Sequence, residues 1–589
     1  LLAPVGRICP DGNGGGGTKL SADSGRMMER AILGFLGGEP LATELAVAAG
    51  RHGLRSLDRL VPELALFAGD GVRISIPDPG RLFLGDWFEN SRSTSWGNYL
   101  EFMVDQAGGL TIRRAPITGM PLYWLEAAGG VLLFSHLELI EAFSVALSVD
   151  EEYLRYLLSF SNFRTARTGL SGVQELLPGT ALILGRGLPT TETFWSPWPH
   201  ARESVGEVDA PMLLEQSIRT CVSAWADSRD SIVVELSGGL DSSIVAAALA
   251  QGGHAFSAAT IATASPDGDE RRFARAVSER CGIDLVEYLH GDAVLDLTAG
   301  PAFLAPRPAT YGVLAGIDAA LGSATNEMSG SSIFTGIGGD NVFAINRSIM
   351  PALDALLSLG PRPRSLAALN DCARLCNATV WRAARAVWRQ WRAGRDAAWP
   401  RDDGYCVRTM LPDEPLPHPW DEVVDDLPVG KIRHVQSILR IGDFLDRPGR
   451  WYGRDVVAPL LSQPVVELCL AIPSWAWVAG GRDRAVARAA FASHLPGIVA
   501  WRRNKGRLET MCAEAFLAQR RALAPILLEG RLAREGLIDR KRVEAYLARE
   551  RIEGDYDYFR LLELADIELW IASVSDLGGG KFRPVQRSY

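Results

Sequence analysis

Apolar positions along the chain follow different rhythms, and each rhythm predicts a different kind of element. From Arg30 to about Trp195 the apolar runs are short and broken by turns. They predict strands at Ala31–Leu36, Gly71–Ile76, Leu82–Trp87, Leu110–Arg114, Leu122–Leu125, Gly130–Phe134 and Thr180–Leu184, with helical runs at Leu41–His52 and Asp150–Ser159. Such a mixture implies a layered α+β domain with antiparallel sheets. Ser196–Ala210 is polar, contains proline and reads as a linker. The pattern then changes: Pro211–Asp227 repeats as an amphipathic helix, Ile232–Leu236 is a β-branched run suited to a buried parallel strand, and Ile244–Ala250 continues as a helix. Ala255–Thr263 predicts the next strand, and Ala513–Leu577 is mostly helical. The expectation is an α/β chain with domains at 29–200 and 208–589, the second carrying a helical insertion at about 351–435. Residues 1–28 are glycine-rich with little periodicity, and read as a disordered tail or as sequence upstream of a start near Met27 or Met28.

Inside the insertion, Trp381, Ala384, Trp388 and Trp391 recur at helical spacing, with Arg382, Arg385, Arg389 and Arg392 one step behind. The favoured expectation is a buried Trp stripe and a solvated Arg stripe; the alternative is a docking surface for an acidic or aromatic peptide or protein.

Composition narrows the class. A net charge of −9 argues against a general nucleic-acid binder. The eight cysteines are dispersed without a CxxC pair, as expected of reduced thiols in a cytoplasmic protein. The most apolar long stretch, Val465–Gly481, is interrupted by Glu467 and Pro473, so no membrane span is expected.

The candidate chemistry starts at Ser237-Gly-Gly-Leu-Asp-Ser-Ser243, between the predicted strand and helix. Gly238 and Gly239 let backbone approach an anion, while Ser237, Ser242 and Ser243 add hydroxyls beside free N–H groups at Leu240 and the following positions of the helix start. No Lys follows the glycines as in a Walker loop. Asp241 stands there instead, an acid that makes sense in a phosphate site if it holds Mg²⁺. A second strand runs into Gly338, Gly339 and Asp340, so two acids would converge on one metal.

Ser237–Ser243 resembles the pyrophosphate loop of the ATP-pyrophosphatase superfamily, most closely its asparagine synthetase branch. That resemblance implies ATP cleaved between the α- and β-phosphates, Asp241 and Asp340 as metal ligands, and Lys505 in Trp501-Arg-Arg-Asn-Lys-Gly506 as a catalytic lysine. Arg307 and Thr310 fall in a segment that in the family lies near nucleotide and acyl substrate, although an N-cap role explains Thr310 equally well. Glu270 and Arg271 are weaker candidates of the same kind.

Ala31-Ile-Leu-Gly-Phe-Leu36 resembles the first strand of a class II glutamine amidotransferase domain, whose nucleophile is an N-terminal cysteine four residues before the strand glycine. Counting back from Gly34 gives Arg30, preceded by 29 further residues. A guanidinium is no nucleophile, and preceding residues block the free α-amine that serves as base, so glutamine hydrolysis is expected to be absent. The second loop, Gly338-Gly-Asp-Asn-Val-Phe343, resembles lasso peptide cyclases. β-Lactam synthetases have a tyrosine where this chain has Ile337. The resemblance implies adenylation of an Asp or Glu side chain in a precursor peptide and attack by its N-terminal amine. Its expected partners are a leader-peptide-binding protein and a protease. An asparagine-synthetase-like or small-molecule amide synthetase, and a non-catalytic scaffold, are the other readings.

Overall fold

The computed structural model of the chain describes residues 28–578 except 38–41, 58–59, 90–94, 128, 142, 144, 146, 186, 263–268, 290–295, 302, 309–311, 319–320, 323–331, 346, 395–397, 421–425, 446–454, 504–507, 551 and 553. The tail expected at 1–28 therefore lies outside the described residues except for Met28.

Among the described residues, twelve strands build the N-terminal region: β1 (Ile32–Gly37), β2 (Arg55–Ser56), β3 (Leu64–Ala68), β4 (Ile74–Asp78), β5 (Arg81–Glu89), β6 (Ser95–Val104), β7 (Leu110–Arg114), β8 (Tyr123–Ala127), β9 (Gly130–Phe134), β10 (Gln174–Glu175), β11 (Thr180–Leu184) and β12 (Thr190–Thr193). They form two antiparallel sheets, ordered β10-β8-β9-β1-β3-β2 and β12-β11-β7-β6-β5-β4. Leucines and aromatics from both, among them Leu66, Leu133, Leu84 and Phe102, share the core between them. The longest strand absent from the periodicity reading is β6, with ten residues. It pairs on both edges and is covered on both faces, so buried Trp96, Tyr99, Leu100, Glu101 and Phe102 show no clean alternation.

The second region holds β13 (Ile232–Glu235), β14 (Ser257–Ala262), β15 (Leu285–Leu289), β16 (Ser332–Phe334) and β17 (Asp455–Val457), an all-parallel sheet ordered β15-β14-β13-β16-β17. Helices Ala210–Asp227 and Leu240–Gln251 bury Ile218, Val222, Ile244 and Val245 into its core. The α/β class with an antiparallel N-terminal part and a parallel C-terminal sheet is thus what the chain adopts.

Two expectations change. The Ser196–Ala210 segment contains the helix Trp198–Arg202, seated by Trp198, whose indole N–H donates to the Trp420 carbonyl at 2.9 Å. In the insertion the tryptophan row is not buried. On helix Val380–Ala393 the inward positions are Ala383 and Val387, while Trp381, Trp388 and Trp391 are 85%, 51% and 59% exposed. Small side chains hold the inner face because Val387 packs closely on Ala352, Leu353, Cys372 and Val478.

The C-terminal helices Leu508–Glu529 and Asp557–Gly578 join a core that reaches Leu33, Phe35 and Phe134 of the first antiparallel sheet. The two regions are therefore held together by a shared apolar core as well as by ion pairs. No single helix is long and apolar enough to cross a membrane among the described residues; a bent pair, Gln463–Ala471 and Ser474–Gly481, passes on composition, and its Val465, Val466, Leu470 and Trp477 are buried in the second core.

Candidate functional site: two acid-bearing loops at the sheet's carboxyl end

In the parallel sheet β14 lies on one side of β13 and β16 on the other, so the chain reverses its winding direction there. Ligands of open α/β sheets bind in the crevice such a reversal leaves at the strands' carboxyl ends. The register Val234↔Phe334 brings the loops after β13 and β16 to the same level.

The first loop is Ser237–Gly239, and the helix begins at Leu240 with Gly239 as its cap. Gly238 has φ +69, and a Cβ there would meet the Phe273 Cβ at 2.6 Å, so both backbone conformation and space require glycine. Ser237 and Ser242 hydroxyls lie 3.1 Å apart across the loop, and Ser243 donates its hydroxyl to the Gly239 carbonyl at 2.6 Å. The second loop turns through Gly338 into the short helix Gly339–Val342. A Cβ on Gly339 would sit 2.5 Å from the Asp241 carboxyl carbon, so this glycine is what lets the loops close on each other.

Asp241 and Asp340 meet at Arg484. One guanidinium nitrogen, Nη1, donates to Asp241 at 2.8 and 3.1 Å and to Asp340 at 2.5 Å. Arg484 is buried and has φ 50, a left-handed backbone rare for a residue with a side chain. Burial disfavours its charge, but Asp241, Asp340 and Asp483 outweigh that and push its pKa up. Asp241 is buried, whereas the Asp340 side chain is 37% exposed. The arrangement is a cation held between two carboxylates beside a glycine loop and a helix start.

Periodicity and motif left Arg484 unremarked. The available signal was Gly480-Gly481 before the charged run Arg482-Asp483-Arg484, a turn that aims charge at a site. Arg502 was also missed. It pairs with Glu270 at 2.5 Å, stands over the Phe273 ring at 3.7 Å, and reaches the Gly238 carbonyl at 3.4 Å, bracing the first loop from behind.

The remaining sequence candidates divide. Glu270 serves Arg502, and Arg271 binds Asp269 at 2.7 Å. Arg307 turns to Glu175 of the N-terminal region, 3.3 Å away. Asn341 donates its amide to the Ser437 carbonyl at 2.6 Å and so ties the second loop to helix Val429–Leu445. Ile337 packs on the core of the parallel-sheet domain. Lys505 and Thr310 lie outside the described residues.

The sequence profile of the asparagine synthase family matches residues 213–572, more than half of the chain. The chain belongs to the asparagine synthase family. No curated protein matches it in sequence. Family membership gives the parallel-sheet domain an ATP-dependent, amide-bond-forming ligase chemistry, and the loops at the sheet's switch point are where the geometry offers it a site.

Across the N-terminal edge of the matched segment, this asparagine synthase family chain has a second arginine–aspartate cluster. Arg30 binds Asp86 of β5 at 3.2 Å and also Asp455 of β17, spanning both regions. Arg229 binds Asp86 at 2.6 Å and Asp455 as well, Arg73 approaches Asp86 at 3.4 Å, and Ser332 donates to Asp455 at 2.6 Å. Burial would raise the Asp86 pKa, but the hydrogen bond and charge of Arg229, then Arg30 and Arg73, hold it below the usual carboxylate range. Next to it a cavity of about 150 Å³ is lined by Arg30, His136, Arg164, Trp420, Ile438 and Val456. Neither acid-bearing loop lines it.

Proposed function

We propose that this chain forms a macrolactam within a peptide, as a lasso peptide cyclase does. A side-chain carboxylate oxygen of an Asp or Glu in the precursor attacks the α-phosphorus of ATP, the α–β bridging bond breaks, and pyrophosphate leaves. The peptide's N-terminal amine then attacks the acyl carbon, the bond to AMP breaks, and the amine's proton passes to solvent.

The observation that carries this reading over a small-molecule synthetase is Ile337, an apolar side chain packed on the core where a lactam synthetase needs a phenol to help move a proton. An N-terminal amine has a pKa of about 8, so roughly a quarter of it is neutral near pH 7.5 and orientation matters more than a strong base. Arg30 at the nucleophile position, locked between Asp86 and Asp455, supports the absence of glutamine hydrolysis.

The donor set fits Mg²⁺: two carboxylates already converge on one cationic nitrogen, and hard oxygen donors suit that ion. Asp241 and Asp340 would hold it, and when bound it would neutralise charge on the phosphates. Ser237–Ser243 would cradle the pyrophosphate, Arg484 would share its charge with both acids, and Lys505, by the family resemblance, would offset charge on the α-phosphate and the developing oxyanion.

The test is incubation of a leader-cleaved core peptide with the protein and Mg-ATP, followed by mass spectrometry and assay of AMP and pyrophosphate, with leader-binding protein and protease present in a parallel reaction. Loss of one water from the peptide is expected. A peptide that stays linear in both reactions, while free aspartate with ammonia drives AMP release, replaces this reading with an asparagine-forming one.

A further inference from the structure

The helix Val380–Ala393 leaves a large apolar and cationic face with nothing of this chain's described residues on it. With Ala383 and Val387 turned inward, Trp381, Trp388 and Trp391 run along one flank of the outer face. Arg382, Arg385, Arg389 and Arg392 run along the adjoining flank, all exposed. The two rows touch, with the Arg392 guanidinium 5.0 Å from the Trp388 ring. None of the four arginines pairs with a carboxylate among the described residues. Three indoles from half to mostly exposed on one helix leave a contiguous apolar surface in water, which is costly.

We propose that this face is the docking site for an acidic, amphipathic polypeptide segment of a separate molecule, lying alongside the helix with its apolar edge on the tryptophans and its carboxylates on the arginines. Charge selects this occupant. Residues 579–589 carry Lys581, Arg583 and Arg587 and no acid, and residues 1–27 carry Arg7, Lys19 and Arg26 against Asp11 and Asp23, so neither of these two segments complements the patch. Arrangement disfavours a bilayer: a helix lying in the membrane interface sinks a broad apolar face into the lipid. Here there is one tryptophan row, with arginines on one side and packed helices Met350–Leu359 and Pro363–Leu375 on the other. Parallel aromatic and guanidinium rows are what a bidentate, carboxylate-bearing edge can match. Fourteen residues span about 21 Å, the length of a short helical segment.

The surface has a physical connection to the acid-bearing loops. Val387 shares its small core with Val478, in the segment Ser474–Gly481 that leads directly to Arg484. Docking there would bear on the residue that bridges Asp241 and Asp340.

The experiment uses the full chain and a fluorescein-labelled synthetic amphipathic peptide of glutamates, leucines and phenylalanines, followed by fluorescence anisotropy at low salt. Controls are the same peptide with lysine for glutamate, and phosphatidylserine vesicles in a sedimentation assay. The acidic peptide is expected to bind and the lysine peptide to stay free. Affinity should fall roughly tenfold or more in Arg385→Glu/Arg389→Glu and in Trp381→Ala/Trp388→Ala, and should weaken with added salt. ATP–pyrophosphate exchange driven by the carboxylate substrate should persist in both variants, which separates this inference from the adenylation chemistry. No binding of the acidic peptide, or equal binding by the wild-type chain and variants that retain the wild-type circular dichroism spectrum, overturns the proposal. Vesicle capture that depends on the same arginines and tryptophans overturns it in favour of a bilayer.

Discussion

Two arginine–aspartate clusters lie at the ends of strands in this chain, and they are built to opposite purposes. Around Arg30, three guanidiniums from Arg30, Arg73 and Arg229 face Asp86 and Asp455, so positive charge is in excess and Asp86 is buried. Around Arg484 the ratio reverses: one guanidinium faces Asp241, Asp340 and, more distantly, Asp483. The first cluster spans two regions; the second borders Gly238 and Gly339 and leaves Asp340 part-exposed. Saturated charge fastens surfaces, while an acid excess beside backbone N–H groups can accept a cation and its anion.

The comparison breaks most visibly at the acids. Asp241→Asn and Asp340→Asn should each lower ATP–pyrophosphate exchange by on the order of a hundredfold or more, with the cooperative unfolding transition retained; substantial exchange in either variant would remove the second cluster from the chemistry. Asp86→Asn should act the other way, destabilising the chain by about 3 kcal/mol in urea unfolding because it takes from the buried Arg229 guanidinium one of its two carboxylates. Equal stability would mean the first cluster fastens nothing.

A third, smaller effect tests the fastening role through pH. Glu175 is buried among Arg114, Arg164 and Arg307; burial pushes its pKa up, but the charges of Arg164, Arg307 and Arg114 bring it down to about 2. Its contribution is complete above pH 4.5, the group's ordinary value, and is lost as pH falls toward 2. Glu175→Gln should therefore cost roughly 2–3 kcal/mol near neutral pH. The gap to the wild-type chain should narrow as the medium is acidified from pH 5 to 3, read from urea midpoints. A gap that stays constant over that range would assign Glu175 a role independent of its charge.

Much of the site is legible in the sequence because it depends on local rules. A strand run, a glycine turn and an acid at the start of a helix are all short-range features, so Ser237–Ser243 and Gly338–Asp340 stand out from neighbouring residues alone. Arg307 shows where such reasoning stops. Its neighbourhood suggested substrate, but its partner Glu175 is 132 positions away, and nothing local reports an ion pair of that range. Helix Val380–Ala393 fails for a related reason. Periodicity separated the tryptophan and arginine rows correctly, but ranking the stripes by apolar against charged character put tryptophan inward, whereas close helix packing selects Ala383 and Val387.

The sequence by itself determined many of the element types, the parallel-sheet class of the second region and the two glycine turns that each end in an acid, since each follows from the order and spacing of adjacent residues. Only the tertiary structure decided that Asp241 and Asp340 share Arg484, that Arg30 fastens two regions through Asp86 and Asp455, and that the tryptophans face water. Those outcomes rest on contacts between residues tens to hundreds of positions apart, where the energy comes from excluding water and pairing charge in one place, and no local pattern in the chain carries that information.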